Sequence, residues 1–354
     1  MIAVIADDLT GAAEVAGIAC TYGLKTELLI GVEERLPLCD VVVIATNTRS
    51  MTKDDAVAYT RLVASNLNNE HIKVFKKTDS ALRGHVMEEL SAILSVLPFS
   101  QVLYVPANPS KKRIIRDGIY YIDGKPISET DFSRDPEFPA VTSSLKERFP
   151  QAKQLNICMP DICSEKDILP LVSALSADTL LAGAADLFNV WLQSQGYVRR
   201  CGHFRWSIQK KRMVVVCGST QSNPPQVGMA IVPMPREVYD GMASVSLWWK
   251  QIYPIYKRHK AVILTIPYVH LTGHEVAMRL RKAIADIVRW IVSESCPEEL
   301  VVEGGATAYA CLDALSWHEF RVIGEFAPGV VRMSALNDTV VTLKPGSYSW
   351  GGFF

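Results

Sequence analysis

Short apolar runs alternate with amphipathic segments along the first half of the chain. Each apolar run has the length of a buried strand, and each amphipathic segment has apolar residues roughly every three to four positions, as a helix does. The predicted strands span residues 2–6, 41–46, 72–77 and 101–107. The predicted helices span residues 12–23, 53–68 and 84–97. This alternation is typical of a parallel, doubly wound α/β sheet.

A polar, turn-rich segment from residue 108 to about residue 139 interrupts this alternation. Within it, residues 118–130 have the pattern of a small β-hairpin that turns at Asp123 and Gly124. An Asp-Gly pair between apolar stretches favours a two-residue hairpin turn, because both turn residues need positive φ.

A second α/β pattern follows a basic, aperiodic stretch at residues 198–212. It contains predicted strands at 213–219, 261–267 and 300–305, a long predicted helix at 274–292, and a final segment at 339–352. We therefore predict two α/β domains with mainly parallel sheets, covering residues 1–205 and 206–354. Two such domains favour a small-molecule site in a cleft between them.

Composition excludes several classes of protein. Lys and Arg number 37 and Asp and Glu number 37 in 354 residues, so the net charge is zero, which argues against nucleic-acid or anionic-membrane partners. No apolar run approaches the ~20 residues that span a bilayer. The 8 cysteines are scattered and no secretory leader is visible, which predicts free thiols and a cytoplasmic location.

Polar residues follow three predicted strands of the first domain, at the point where each strand ends. Because the carboxyl ends of parallel strands share one edge of a sheet, these side chains are expected to converge there. Carboxylates suit acid–base chemistry and sugar hydroxyls, while Lys and Arg suit an anionic group. The candidate residues are Asp7, Asp8, Arg49, Lys77, Asp79, Ser80 and Arg83.

Each of these residues also has a simpler explanation. Asp7 or Asp8 alone could cap the helix that follows, and Asp79 and Ser80 could cap the next one. Arg49, Lys77 or Arg83 alone could form a surface ion pair. The occurrence of all of them at matching strand ends favours a ligand site.

Three glycine-containing loops end strands of the second domain, at residues 217–222, 303–308 and 344–347. Glycine lets backbone N–H groups approach phosphate, and a following helix favours the anion. No P-loop or GxGxxG motif occurs, so the common nucleotide-binding folds are not supported. The histidines of HLTGH at 270–274 are better explained by a helix cap than by zinc.

Five stretches resemble motifs of the four-carbon acid sugar kinase family, in the same order and nearly from end to end. ADDLTGA resembles the N-terminal signature of that family, and KTDSALRGH resembles its K-x-D-S-x-L-R-G segment. Residues 105–139 resemble its long loop, with PA-x-P, R-x-x-x-x-G and T-x-F-x-x-D-P elements. EGGATA and LKPGSY resemble its two nucleotide-domain glycine loops.

The resemblance implies an ATP-dependent kinase that phosphorylates threonate, erythronate or a 3-oxo-tetronate, with Mg²⁺ neutralising the phosphate charge. The N-terminal domain would bind the acid sugar and the C-terminal domain the nucleotide, and a homodimer is left open. Asp7 and Asp8 would be catalytic, one orienting or deprotonating the hydroxyl and the other holding a neighbouring hydroxyl or a metal. Arg49, Lys77 or Arg83 would hold the substrate carboxylate. The residues expected to line the ATP site are Ser219, Gly304, Gly305, Ala306, Thr307 and Gly346.

Two departures from the family pattern keep a second hypothesis open. Ala306 stands where the family commonly has an acidic residue, although Glu303 could replace that side chain, and the nucleotide half is shorter than usual. The alternative to a kinase is therefore a catalytically degenerate member that senses an acid sugar or a nucleotide. A kinase for a different small hydroxy acid is the third reading.

Overall fold

The computed structural model describes residues 1–33, 35–135, 137–200, 212–218, 224–225, 228–271, 273–294 and 296–346. The chain divides into two compact units, Met1–Arg200 and Cys201–Phe354. The predicted boundary between residues 205 and 206 lies outside the described residues. Both units contain parallel strands and helices, so the predicted α/β class is confirmed.

The first unit contains ten strands and six α-helices within its described residues. The strands are β1 (Ile2–Ala6), β2 (Thr26–Ile30), β3 (Val41–Ala45), β4 (Lys73–Lys77), β5 (Gln101–Val105), β6 (Arg113–Arg116), β7 (Ile119–Ile122), β8 (Lys125–Pro126), β9 (Ile157–Cys158) and β10 (Thr179–Gly183). The helices are α1 (Leu9–Thr21), α2 (Lys53–Ser65), α3 (Val86–Leu94), α4 (Leu145–Arg148), α5 (Glu165–Ser173) and α6 (Ala185–Ser194).

Strand β1 lies in the middle of the main sheet of this unit. The strand order is β2-β3-β1-β4-β10-β5-β9, and all pairings are parallel. Ala6 is opposite Ala45 on one side and Lys77 on the other. All five residues of β1 are buried, as in a parallel strand covered on both faces. The loops that follow β3, β1 and β4 therefore leave the sheet side by side.

A small antiparallel sheet, β6-β7-β8, forms within the polar segment. The predicted hairpin is confirmed: β7 pairs with β8, and Asp123 and Gly124 have φ values of 49° and 80°. These positive values at both central residues match the twist of the hairpin. Strand β6 was not predicted, and it pairs with β7 as a third strand.

The second unit contains seven strands and four α-helices within its described residues. The strands are β11 (Met213–Cys217), β12 (Ile231–Pro233), β13 (Ala261–Thr265), β14 (Glu299–Glu303), β15 (Glu319–Ala327), β16 (Val330–Ala335) and β17 (Val340–Lys344). The helices are α7 (Arg236–Tyr239), α8 (Ser246–His259), α9 (His274–Glu294) and α10 (Gly305–Ala314).

The sheet of the second unit has the order β12-β13-β11-β14-β17-β16-β15. The first five strands in this order, β12, β13, β11, β14 and β17, are parallel to one another. Strand β16 is antiparallel to both of its neighbours, β17 and β15. The sequence prediction missed β12, the pair β15–β16 and helix α8. Helix α8 contains Pro254 in its interior, and proline usually ends a helix. Among the described residues, none of the helices is both long enough and apolar enough to cross a membrane.

Candidate active site

Asp8 caps helix α1 and also faces the predicted site. Its backbone is extended, with φ of −145° and ψ of 160°, and its Oδ1 accepts a hydrogen bond of 3.0 Å from the Gly11 N–H. Its Oδ2 accepts a short hydrogen bond from the Thr10 hydroxyl. The same Oδ1 lies 2.9 Å from Arg49 Nη2. Capping therefore does not exclude a role for Asp8 in the site, because the same carboxylate both caps α1 and contacts Arg49.

Arg49 lies among three carboxylates. Its Nε and Nη2 each lie 2.8 Å from Asp7 Oδ2, and Nη2 lies 3.7 Å from Asp79 Oδ1 in addition to its contact with Asp8. The Arg49 N–H also donates to the Asp7 carbonyl oxygen over 3.2 Å. Asn47, in the left-handed region with φ of 55°, turns the chain toward this position after β3. Arg49 thus holds together carboxylates that follow β1 and β4.

Asp79 and Arg83 form a fork-to-fork pair after β4. Arg83 Nε donates to Asp79 Oδ2 over 2.8 Å and Nη2 donates to Oδ1 over 3.2 Å. Arg83 Nη1 also lies 3.6 Å from Asp135, a residue of the polar segment. Gly84 has φ of 94°, and a Cβ atom there would lie 3.2 Å from Asp7 Oδ2. A glycine at this position lets the backbone approach the Asp7 carboxylate.

Lys77 lies beside Glu14, a residue that the sequence prediction missed. Lys77 Nζ is 3.4 Å from Glu14 Oε2, and Lys111 Nζ makes a short ion pair with Glu14 Oε1. A Cβ atom at Gly11 would lie 2.6 Å from Asp8 Oδ1 and 3.1 Å from Lys77 Nζ. Gly11 therefore keeps the space in which Lys77 and Asp8 approach each other. The position of Glu14, one helical turn after Thr10 on α1, was the only sequence signal for it.

Ser80 contacts the polar segment. Its hydroxyl accepts a hydrogen bond of 2.6 Å from Arg113 Nη1, and its carbonyl oxygen accepts one of 2.6 Å from the Tyr120 hydroxyl. The guanidinium carbons of Arg113 and Arg83 lie 5.6 and 5.7 Å from the ring centre of Phe132. The structure thus brings all seven N-terminal candidates together and adds residues of the 108–139 segment to them.

The electrostatic surroundings of Asp7 and Asp8 shift the pKa values of these two carboxyl groups in opposite directions. Burial raises the pKa of Asp7 from 3.8 to about 6, because desolvation outweighs the attraction of Arg49. Burial also disfavours the charged form of Asp8, but Arg49, Lys77 and the Thr10 hydroxyl together lower the pKa of Asp8 below its ordinary value. The pKa of Asp79 is held well below its usual range, because Arg49 and Arg83 outweigh the effect of burial.

One oxygen of Asp7 has no hydrogen-bond partner among the residues that the structure describes. Asp7 Oδ2 accepts from Arg49, but Oδ1 is buried without a hydrogen-bond partner among the described residues. A buried carboxylate oxygen that lacks a partner carries a substantial desolvation cost, which a ligand hydroxyl would relieve. Asp7 therefore combines a pKa near neutrality with an open acceptor, which are the properties expected of a general base.

The glycine loops of the second unit also converge. In the register of the sheet, Cys217 is opposite Glu303 and Glu303 is opposite Lys344, so the loops after β11, β14 and β17 are adjacent. A Cβ atom at Gly218 would lie 2.4 Å from Thr307 Oγ1, and the Gly304 N–H donates to the Lys344 carbonyl oxygen over 2.8 Å. Glycine at 218 is thus required for the close approach of the first two loops.

Four of the six nucleotide-site candidates lie at the start of α10. Gly304, with φ of 93°, is the N-cap, and Gly305, Ala306 and Thr307 form the first turn, whose N–H groups have no partner within the helix. Ala306 is exposed, Thr307 is buried and Gly346 is half-buried in the loop after β17. Ser219 lies outside the described residues.

Glu303, the residue that could replace the acidic side chain that Ala306 lacks, forms an ion pair with Lys344. It is fully buried and accepts a hydrogen bond of 2.6 Å from Lys344 Nζ, which is also fully buried. The pair joins the ends of β14 and β17 beneath the loops. Lys344 thus holds one oxygen of the Glu303 carboxylate, and a contact between Glu303 and a ligand stays a prediction.

No candidate metal centre was found among the described residues, in the sense of three or more nearby His, Cys, Asp or Glu side chains. His270 Nε2 instead lies 2.8 Å from Asp240 Oδ1. Thr272, the residue of HLTGH expected to cap the following helix, lies outside the described residues.

Comparisons with known proteins match both halves of the chain. A model described as a sugar-binding N-terminal domain matches residues 2–162, and one described as a nucleotide-binding C-terminal domain matches residues 267–348. A D-threonate kinase from Salmonella typhimurium is 23% identical over 98% of this chain and 94% of its own length. A 3-oxo-tetronate kinase from Brucella melitensis is 24% identical over 99% of this chain and 93% of its own length. This chain belongs to the four-carbon acid sugar kinase family.

As a member of the four-carbon acid sugar kinase family, the protein is a phosphotransferase. A D-erythronate kinase from Heliobacterium modesticaldum is 33% identical over 39% of this chain and 33% of its own length. Solved structures have the same fold as this chain: a Salmonella typhimurium structure described as a putative tRNA synthase has a TM-score of 0.79 at 18% identity and covers 99% of this chain and 97% of its own. A Haemophilus influenzae structure has a TM-score of 0.74 at 19% identity and covers 99% of this chain and 98% of its own.

Proposed function

We propose that this kinase transfers the terminal phosphoryl group of ATP to the terminal hydroxyl of a four-carbon sugar acid, namely threonate, erythronate or a 3-oxo-tetronate. The observation that carries the proposal is the unpartnered Oδ1 of Asp7, a buried carboxylate whose pKa is about 6, beside a cluster of cations. The activities named for the similar kinases support the substrate class.

Asp7 is the proposed general base. Its Oδ1 accepts the hydrogen of the terminal hydroxyl, and it takes that proton as the hydroxyl oxygen bonds to the terminal phosphorus. The bond from that phosphorus to the bridging oxygen breaks, and ADP leaves with the electron pair. Arg49 holds Asp7 Oδ2 at 2.8 Å, which leaves Oδ1 as the oxygen available for the proton.

Asp8 and Asp79 are the proposed ligands of the neighbouring hydroxyls, because both stay ionised at neutral pH and accept hydrogen bonds. Among the three predicted cations, the side chain of Arg83 is 31% exposed, against 13% for Arg49 and 4% for Lys77. Arg83 is thus suited to contact the acid directly, whereas Arg49 and Lys77 position the carboxylates.

The nucleotide is assigned to the three adjacent glycine loops. The N–H groups of Gly305, Ala306 and Thr307 at the start of α10 suit the phosphates of ATP, since a helix N-terminus favours anions. Gly218 and Gly346 border the same position from the neighbouring strand ends. Mg²⁺ bound to the phosphates would supply charge neutralisation, which is most of what phosphoryl transfer requires besides positioning.

A homodimer remains part of the proposal. A Bordetella bronchiseptica structure with a TM-score of 0.50 is described as a domain-swapped dimer. Size-exclusion chromatography with light scattering would give the mass in solution, and a monomer at all concentrations would refute this part.

The test is ATP consumption with Mg²⁺ over a panel of D- and L-threonate, D- and L-erythronate and 3-oxo-tetronates. Turnover of one member supports the kinase and identifies its substrate, and Asp7→Asn should then abolish most of kcat. Asp54→Asn is the matched control, because Asp54 is an exposed carboxylate in the first turn of α2. No turnover, together with a thermal shift from an acid sugar but none from ATP, would instead favour the sensor hypothesis.

A further inference from the structure

The cations of the N-terminal site differ in how fully they are neutralised. Arg49 is paired with Asp7, Asp8 and Asp79, and Arg83 is paired with Asp79 and Asp135, as described above. Lys77 and Lys111 share Glu14. Each of these four side chains therefore meets at least one carboxylate of the protein itself.

Arg113 differs from these four. No carboxylate of the described residues lies within ion-pair distance of it, and its side-chain contacts are the Ser80 hydroxyl at 2.6 Å and the ring of Phe132 at 5.6 Å. One N–H is used on Ser80, and a guanidinium has five, arranged as a fork that matches a carboxylate. The direct contacts of this half-buried guanidinium are neutral, so its remaining N–H groups can form charge-assisted hydrogen bonds with a ligand anion.

The backbone of Arg113 is rigidly held at the edge of the site. Its N–H and carbonyl oxygen pair with those of Asn108, at 3.2 and 2.8 Å. Asn108 is 1% exposed and follows β5, and its Oδ1 accepts a hydrogen bond of 3.1 Å from the N–H of Asp186. Because β5 belongs to the same parallel sheet as β1 and β4, Arg113 is anchored at the edge where Asp7 and Asp79 lie.

A chain of contacts connects Arg113 with Asp7. Arg113 contacts Ser80, Ser80 follows Asp79, and Asp79 approaches the Arg49 guanidinium that holds Asp7. Arg113 and Asp7 thus lie at two ends of one chain of polar contacts. A short hydroxy acid has its carboxylate and its terminal hydroxyl at opposite ends, which matches a cation at one end of this chain of contacts and a carboxylate at the other.

We propose that Arg113, held by Ser80 and Phe132, is the residue that binds the carboxylate of the acid substrate and gives the site its preference for acids over neutral polyols. Arg83, the second guanidinium beside Phe132, is the second donor to the same carboxylate. This assignment deepens the proposed function and rests on it for the identity of the substrate.

The test measures binding without ATP. Wild-type protein, Arg113→Gln, Arg113→Lys and Arg116→Gln are titrated with D- and L-threonate and D- and L-erythronate, and with the neutral amide of each acid. Arg116→Gln is a matched control, because Arg116 is on the same strand and also lies over an aromatic ring, that of Tyr121 at 5.0 Å. Thermal unfolding of each variant checks that it is folded.

The expected result is that Arg113→Gln weakens binding of the acid about 10- to 100-fold, as for loss of charged hydrogen bonds, and changes binding of the amide by less than about 3-fold. Arg113→Lys should recover part of the acid affinity, and Arg116→Gln should bind like wild type. If Arg113→Gln lost the same affinity for the acid and for the amide, the role of Arg113 would be structural only and the proposal would be overturned. Unchanged affinity of Arg113→Gln for the acid would also overturn it. The same holds if the wild-type protein binds the acid no better than the amide.

These outcomes are separable from failure of the proposed kinase. A wild-type protein that prefers the acid and loses that preference in Arg113→Gln, but consumes no ATP, would support the carboxylate site and refute the kinase. A protein that phosphorylates the acid with an unchanged KM in Arg113→Gln would support the kinase and overturn the carboxylate site.

Discussion

Asp7→Asn tests the site most directly. Asparagine keeps the size of the side chain and removes the group that accepts a proton. Arg49 retains its contacts with Asp8 and Asp79, so the local fold should survive. Loss of a positioned general base typically lowers kcat about 10²- to 10⁴-fold. Asp8→Asn should preserve helix α1 because asparagine is an equally good N-cap, which makes the two variants comparable.

The magnitude of a second effect follows from the pKa of Asp7. The difference between its ordinary value of 3.8 and about 6 corresponds to about 3 kcal/mol. The folded protein binds the Asp7 proton more tightly than the unfolded chain, so this residue lowers stability as pH rises from about 4 to about 6. Asparagine lacks this titration. The free energy of unfolding of Asp7→Asn, relative to wild type, should therefore increase by up to about 3 kcal/mol over that interval.

This difference is measured by urea unfolding of the wild type, Asp7→Asn and Asp54→Asn at several pH values between about 4 and about 8. The kcat/KM of wild type should rise with pH up to about 6, and that limb should be absent from the residual activity of Asp7→Asn. Parallel stability curves for wild type and Asp7→Asn, or an Asp7→Asn variant with full kcat, would refute the assignment of Asp7 as the base.

Three further substitutions test the supporting structure. Gly84→Ala places a Cβ atom 3.2 Å from Asp7 Oδ2 at a residue with positive φ, and should lower both the free energy of unfolding and kcat. Gly196→Ala is the control, because Gly196 also has positive φ but no atom would contact its Cβ; it should lower only the free energy of unfolding, by about 1–2 kcal/mol in urea. Glu14→Gln leaves two lysines without their shared carboxylate and should raise KM for the acid, and an unchanged KM would contradict this. Lys344→Met should cost about 3–5 kcal/mol, because a buried carboxylate loses its partner, and adding Glu303→Leu should recover much of it; no recovery in thermal unfolding would refute that cause.

Much of the parallel core could be predicted from the sequence. Strands β1, β3, β4 and β5 and helix α2 lie within a few residues of the predicted segments, because buried strands and amphipathic helices have clear apolar periods. Helix α1 begins at Leu9, three residues before the predicted start, since Asp8 already supplies its cap. The antiparallel strand β15 was missed, because a half-buried strand carries a weaker apolar pattern than a central parallel one. Strand β16 was missed although five of its six residues are buried, because Arg332 and Ser334 interrupt its apolar run.

The candidate site could be predicted in part. Strand ends identify polar residues that face one edge of a sheet, which was sufficient for the seven residues from Asp7 to Arg83. The sequence could not show that Arg49 contacts three carboxylates or that Glu14 contacts Lys77. The R-x-x-x-x-G resemblance includes Arg113 but could not show its contact with Ser80. Glu14 lies within a helix and Arg113 within a distant segment, so their contacts depend on long-range packing.

The amino-acid sequence alone determined that this chain forms parallel α/β units with chemistry at the strand ends, because apolar period and turn residues are local properties. The tertiary structure decided how these groups are arranged and how strongly each carboxylate holds its proton. The placement of β1 between β3 and β4 brings Asp7, Asp8, Arg49 and Asp79 within ion-pair distance. Only burial and neighbouring charge, which arise from that placement, separate two adjacent aspartates into one with a raised pKa and one with a lowered pKa.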